Sequence, residues 1–289
     1  MVGDDPLRTV ERDVRLVYEA ARTYARDRYL AALLAPSQAR DDLVTIAAFV
    51  GELERIPLIA HDATIGQIRF QWWRDALAAP VEASSGHPVA DEVRALARRR
   101  GLPASLLALP IEGYARALYE DGIPDEDGLF AYADETEGSA IRLSLSVLGG
   151  FDSAEAQKLV VPAAIALAMT RLALTLPQHF ALGRMPLPAA FAGQTRDPRG
   201  ADEGAAREAA REHAMLLAGL ARAHLARFRG EQSRLDAPRL IEAFLPLCLV
   251  EPYLKAVLRP RRDALLELAD ISPLSRVSRL WFARWRRRV

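Results

Sequence analysis

Apolar residues recur along almost the whole chain at the three- and four-residue spacing of an α-helix, and no period of two persists long enough to make a strand. The spacing predicts helices over about 9–34, 37–57, 63–79, 88–100, 103–120, 125–149, 153–176, 202–230, 235–258 and 274–288. Helix-start chemistry agrees with it. Pro36-Ser37, Asp62, Pro103, Pro124-Asp125 and Asp152-Ser153 each precede a periodic run, where a short polar side chain satisfies free N–H groups and proline has none to leave unpaired. A break is expected near Pro57, and in the helix after it Ile65, Ile68, Trp72 and Leu77 share one face. Trp72 and Trp73 lie about 100° apart, so one can be core while the other faces a groove or solvent, core packing being the commoner role of Trp72 and a tunnel lining or a protein interface the alternative. The one long aperiodic stretch, Leu182 to Gly200, reads as a loop within a domain, because the apolar helices on both sides need each other for cover. The fold class is all-α.

Composition narrows the function classes. With 51% hydrophobic and 26% charged residues among 289, the chain can bury a large core and is neither disordered nor collagen-like. Thirty-eight basic residues balance thirty-eight acidic ones, which argues against a uniformly basic nucleic-acid binder. One cysteine, Cys248, allows no internal disulfide and no zinc site, and fits a reducing cytoplasm. His61, His87, His179, His213 and His224 are scattered without a metal-binding spacing, and His179 reads as a helix-end or loop group. Met1 to Asp13 lacks the basic and apolar regions of a secretory signal. The nearest approach to a membrane span, residues 159–183, is interrupted by Arg171, Pro162 and Pro177.

Neutrality conceals a polarity. Residues 271–289 carry six arginines and no acid, so the preceding 270 residues sum to −6. We divide the chain accordingly into a helical body, 1–270, and a basic amphipathic C-terminal helix, 271–289. On that helix Leu274, Val277, Trp281, Phe282 and Trp285 fall to one side and Arg276, Arg279, Arg286 and Arg287 to the other. The pattern suits either contact with an anionic membrane surface, through Trp281, Phe282, Trp285, Arg286 and Arg287, or docking on the chain's own body. RNA binding is disfavoured because the basic aromatic element is short and isolated.

The segment from Asp41 to Leu77 carries the most information. Arg40, the run Ile46-Ala47-Ala48-Phe49, Tyr132 with Gly138, the helix Ala163 to Leu174, and Gly183-Arg184-Met185-Pro186-Leu187-Pro188 together resemble the squalene/phytoene synthase family over about residues 15 to 255. The resemblance implies an isoprenoid-synthase-like helical bundle around a central cavity, with two prenyl diphosphates held by Mg²⁺ between carboxylates on two facing helices. Glu54 falls at the first aspartate of the family's first motif and Leu58 at the second, while the second motif carries Thr175, Gln178 and His179 where carboxylates belong. Glu52-Leu53, the stretch Arg69-Phe70-Gln71-Trp72-Trp73-Arg74-Asp75-Ala76, and Pro177-Gln178-His179 resemble a catalytically degenerate branch that includes the mitochondrial respiratory complex I assembly factor.

That resemblance implies a non-catalytic protein acting at the inner face of the cytoplasmic membrane. It would work in complex I assembly with a respiratory-complex subunit as partner, or by holding a prenyl lipid, with no cofactor and no nucleic acid. Candidate cavity residues are Arg40, Phe49, Glu52, Glu54, Arg69, Trp72, Tyr132 and Arg171. The alternative is an active Mg²⁺-dependent head-to-head prenyltransferase using farnesyl or geranylgeranyl diphosphate. Glu208 with Glu212 reads as a solvated helix face, Asp121, Asp125 and Asp127 as turn and cap residues, and Asp134, Glu135 and Glu137 as a polar helix flank.

Overall fold

A computed structural model describes residues 6–118, 123–185, 187, 202–235 and 237–289. Among these residues every regular element is helical: α1 Pro6–Tyr24, α2 Arg26–Leu33, α3 Ser37–Ile59, α4 Ala63–Ala78, α5 Pro88–Arg100, α6 Ala104–Arg116, α7 Glu126–Ala133, α8 Ser139–Val147, α9 Ala154–Ala181, α10 Glu203–Glu231, α11 Val250–Val257 and α12 Pro273–Arg286. A π turn, Asp134–Gly138, joins α7 to α8, and a 3₁₀ segment, Pro238–Leu249, precedes α11. The cap residues work as their chemistry dictates: Asp62, Asp125 and Ser153 accept from Thr64, Gly128 and Ala156 N–H groups. Most of the Leu182–Gly200 loop, Asp121, Pro186 and Pro188 lie outside the described residues.

Two long helices organise the bundle. The core side of α3 is wrapped by α1, α2, α5, α6 and α8, while α9 packs against α10, α7, α8, α11 and the π turn. By length and composition α9 could cross a membrane, yet 78% of its most apolar window is buried inside the protein, as befits a core helix that is hydrophobic all round. Fully buried Phe49, Phe70, Phe228 and Phe244 belong to one continuous core.

Three sequence expectations change. The expected 9–34 helix bends at Ala25, although Ala25 N–H still donates to Ala21 O and Tyr29 N–H to Ala25 O, so the junction is a kink. The expected break near Pro57 falls at residues 60–62, between the end of α3 at Ile59 and the start of α4 at Ala63, and there the buried Arg184 guanidinium donates to the Pro57 and Ala60 carbonyls. Helix α9 runs on through Pro177 to Ala181. On α4 the core face is Gly66, Phe70, Trp73 and Ala76, whereas Ile65, Ile68 and Trp72 face outward, Trp72 at 39% exposed. Two apolar lines run along this helix, and Gly66 decides between them: a Cβ there would lie 2.3 Å from a Leu118 methyl, so only the glycine side allows this close approach.

The C-terminal helix packs on the body through one narrow line and leaves its apolar face exposed. Arg276, Leu280 and Ala283 are buried against the 3₁₀ segment and α2, while Leu274, Val277, Trp281 and Trp285 point outward. Arg276, on the side opposite the apolar line, sits 2.8 Å from Asp27, 2.5 Å from Asp270 and 2.9 Å from the Tyr253 hydroxyl. Its charge is neutralised there, which explains how an arginine occupies a core position. Arg284 faces the buried Glu242 carboxylate at 2.8 Å. Replacing Arg276 by Met should therefore leave Asp27 beside the Tyr253 hydroxyl with no cation and cost about 3 kcal/mol in urea unfolding. A loss within about 0.5 kcal/mol, the range of ordinary surface substitutions, would mean that Leu280 and Ala283 hold α12 without it.

Candidate functional site

Glu54 on α3 and Arg171 on α9 meet across the centre of the bundle, with Arg171 Nη1 3.0 Å from Glu54 Oε1. The same guanidinium places Nε 2.8 Å from Glu137 Oε1 on the π turn, and Glu137 Oε2 takes an ion pair from Arg28 on α2. Two arginines and two glutamates therefore close a neutral chain, Arg28–Glu137–Arg171–Glu54, drawn from four parts of the fold. Their side chains are 7%, 1%, 24% and 14% exposed in that order. Tyr114, Tyr132, Leu58, Thr175 and His179 complete the lining around a residual cavity of about 20 Å³. Ligand pockets run to hundreds of Å³, and a prenyl diphosphate needs a volume of that order.

Local structure explains how Glu137 gets there. Leu129, Ala133, Glu137, Ile141 and Leu145 are spaced at i, i+4 and all are buried, so the carboxylate stands in phase with core residues. Gly113 on α6 lets that turn approach, since a Cβ there would come within 2.8 Å of Thr136 Cγ2. The polar-flank reading survives for Asp134 and Glu135, which pair with Arg142 at 2.7 Å and Arg116 at 2.8 Å, and fails for Glu137.

The electrostatics follow from burial. Desolvation raises the Glu54 carboxyl above its ordinary value, the Arg171 charge works against that rise, and Glu137 adds to it. Burial also pushes the Tyr114 and Tyr132 phenols upward, reinforced by Glu54 and Glu137, so both stay protonated. His179, buried in the last turn of α9 as its helix-end reading has it, is lowered to about 4 by desolvation and the Arg184 charge. A value that low leaves the imidazole uncharged at pH 7.

These residues do not fit Mg²⁺. The ion demands near-octahedral hard oxygens, often from two carboxylates and substrate phosphates. Here Glu137 has an arginine within ion-pair distance of each oxygen, Glu54 has one on Oε1 and keeps Oε2 buried without a hydrogen-bond partner, and any cation between the two carboxylates would meet the Arg171 charge. Thr175 Oγ1 donates to the Arg171 carbonyl at 2.9 Å, and Gln178 and His179 supply only an amide and an imidazole. Among the described residues no group of three or more His, Cys, Asp or Glu is arranged to hold a metal.

Of the cavity candidates read from the sequence, Glu54, Tyr132 and Arg171 line this centre. Phe49 is core, 5.4 Å from the Trp73 ring; Glu52 pairs with Arg55 at 3.2 Å; Arg40 donates to the Ala35 carbonyl at 3.3 Å. Arg69 and Trp72 lie on the outer surface. The Gln71 to Asp75 stretch clamps α4 to α6: Arg74 holds Glu112 through two hydrogen bonds of 2.7 and 2.9 Å, and Gln71 donates to Asp75 at 2.8 Å.

The family model for squalene/phytoene synthase matches residues 21–285. The chain belongs to the squalene/phytoene synthase family. The squalene synthase HpnC of Alicyclobacillus acidocaldarius has the same fold, with a TM-score of 0.62 over 98% of this chain and 97% of that one, at 20% identity. The chain is also similar to complex I assembly factor 6 of NADH dehydrogenase (ubiquinone). The Rattus norvegicus protein is 27% identical over 281 residues, 93% of this chain and 81% of that one. The Bos taurus protein is 29% identical over 136 residues, 47% of this chain, and the match spans 41% of the bovine protein's length. Within this family member Arg28, Glu137 and Tyr114 are the centre residues that the motifs do not mark.

Removing Arg171 tests the centre. Arg171→Met strips the cation from two buried carboxylates and should cost about 3 to 5 kcal/mol. Because the folded Glu54 carboxyl titrates above its ordinary 4.5, its contribution is fully present below pH 4.5 and is lost as pH rises through the folded value. Without Arg171 that value climbs, so the variant's stability should fall more steeply than the parent's above pH 4.5, and adding Glu54→Gln should flatten the difference. Equal pH slopes for parent and variant in chemical denaturation would rule the arrangement out.

Proposed function

We propose that this family member is a non-catalytic protein that supports assembly of respiratory complex I. The observation that carries the reading is the Arg171 guanidinium lodged between Glu54 and Glu137, with about 20 Å³ of space beside it. Ionising an allylic diphosphate requires cations to take up the charge of the departing pyrophosphate, and metal ions on hard oxygen ligands do this. Arginines face three of the four oxygens of the two central carboxylates, Glu54 Oε2 alone being left without a partner, and the helix that should bring the second set brings Thr175, Gln178 and His179. The similarity to complex I assembly factor 6 supplies the biological direction of the proposal.

Purified protein with Mg²⁺ is expected to form no C30 or C40 hydrocarbon from farnesyl or geranylgeranyl diphosphate. In cells lacking the protein, assembled complex I should fall, and Glu54→Gln, expressed at the parent's level, should restore it. Turnover by the purified chain, or failure of a folded Glu54→Gln variant to restore complex I, would support the prenyltransferase reading instead.

A further inference from the structure

Beside α12 the surface opens into a groove of about 730 Å³, lined by Arg229 from the end of α10, Cys248 from the 3₁₀ segment, and Arg279, Phe282, Arg286 and Arg288. Its geometry is fixed by the fold. Arg287 adopts a left-handed conformation with φ of 52°, which turns the chain back toward α10. There the buried Gln232 side chain accepts from Val289 N–H at 2.9 Å and donates to the Val289 carbonyl at 3.1 Å, bringing Arg288 beside Arg229. Arg279 is held by Ser275 at 3.2 Å, and Arg286 lies over the Phe282 ring at 4.3 Å.

None of these four guanidinium groups has a carboxylate partner among the described residues, whereas Arg276 and Arg284 of the same helix are both paired. Four unneutralised cations around one concavity repel one another, and an anion relieves that repulsion. Guanidinium groups bind phosphate oxygens through paired N–H donors. The groove borders the outward apolar line of α12, where Trp281 and Trp285 stack with ring centroids 6.3 Å apart and planes within 2°. These rings are 55% and 65% exposed, and Leu274 and Val277 extend the line. A soluble anion would use the arginines and leave that apolar line in water. A bilayer surface uses both, with phosphates at the depth of the arginines and indole rings at the interface.

We propose that this groove binds the phosphate headgroup of an anionic phospholipid, seating the protein on a membrane with α12 along the surface. The inference is independent of whether the central chamber is catalytic. It also goes beyond an amphipathic helix acting alone, because Arg229 belongs to α10 and contributes only if the assembled groove is the site.

The test is sedimentation of the full chain with vesicles of phosphatidylcholine, alone or mixed with phosphatidylglycerol. Binding is expected to the mixed vesicles only. Arg229→Gln should weaken it roughly fivefold, and Arg229→Gln with Arg288→Gln by about that factor again, since each surface arginine is worth ~1 kcal/mol against an anionic leaflet. Both residues are exposed and unpaired, so unchanged thermal unfolding should accompany the loss. Trp281→Ala with Trp285→Ala should also weaken binding while leaving the groove intact. Undiminished binding by the Arg229→Gln variant would overturn the groove as a site. Equal binding to phosphatidylcholine alone would overturn headgroup recognition. Saturable binding of inorganic phosphate or RNA without vesicle binding would assign the groove to a soluble anion.

Discussion

The structure turns on one buried ion chain. Arg28, Glu137, Arg171 and Glu54 tie α2, the π turn, α9 and α3 together at the point where the family's two motif helices face each other. A buried charge is tolerated only when its partner is present, so each member makes the next one necessary. Glu54 requires Arg171, and Arg171 in turn balances Glu137, which Arg28 completes. The set is formally neutral, two arginines against two glutamates. Arginines thus face three of the four carboxylate oxygens, and the chamber between the helices is reduced to a volume on the scale of a water molecule.

How far this was legible in the sequence depends on the range of the interaction. Helix positions follow from local spacing and caps, and α5, α4 and α10 fall within a residue or so of the spacing's limits. Glu54 and the missing second carboxylate set are visible as departures from motif positions. Glu137 was also signalled, by its i, i+4 register with Leu129, Ala133, Ile141 and Leu145, but adjacent Asp134 and Glu135 masked it as part of a polar run. Arg28 carries no such mark, because its role rests on a partner 109 residues away. Direction of facing was the weakest inference from spacing: α4 and α12 each carry two plausible inner faces, settled by Gly66 on one and by Asp27 with Tyr253 on the other.

The molecule uses arginine in two opposite ways. At the centre, and at Arg276 and Arg284, guanidinium groups are spent on internal carboxylates and hold helices in place. Around the α12 groove they are left without acidic partners and sit beside exposed indole rings. A chain of zero net charge thereby keeps a cationic surface at one end, while its acidic residues satisfy the interior and the remainder of the surface.

The central claim is that Arg171 closes the chamber against metal and diphosphate. A crystal structure of the protein grown with Mg²⁺ and farnesyl diphosphate tests it most directly. The account predicts Arg171 between Glu54 and Glu137 with neither ligand in the chamber. Arg171 swung aside, with Mg²⁺ bound to Glu54 or Glu137 and a diphosphate on the metal, would contradict it.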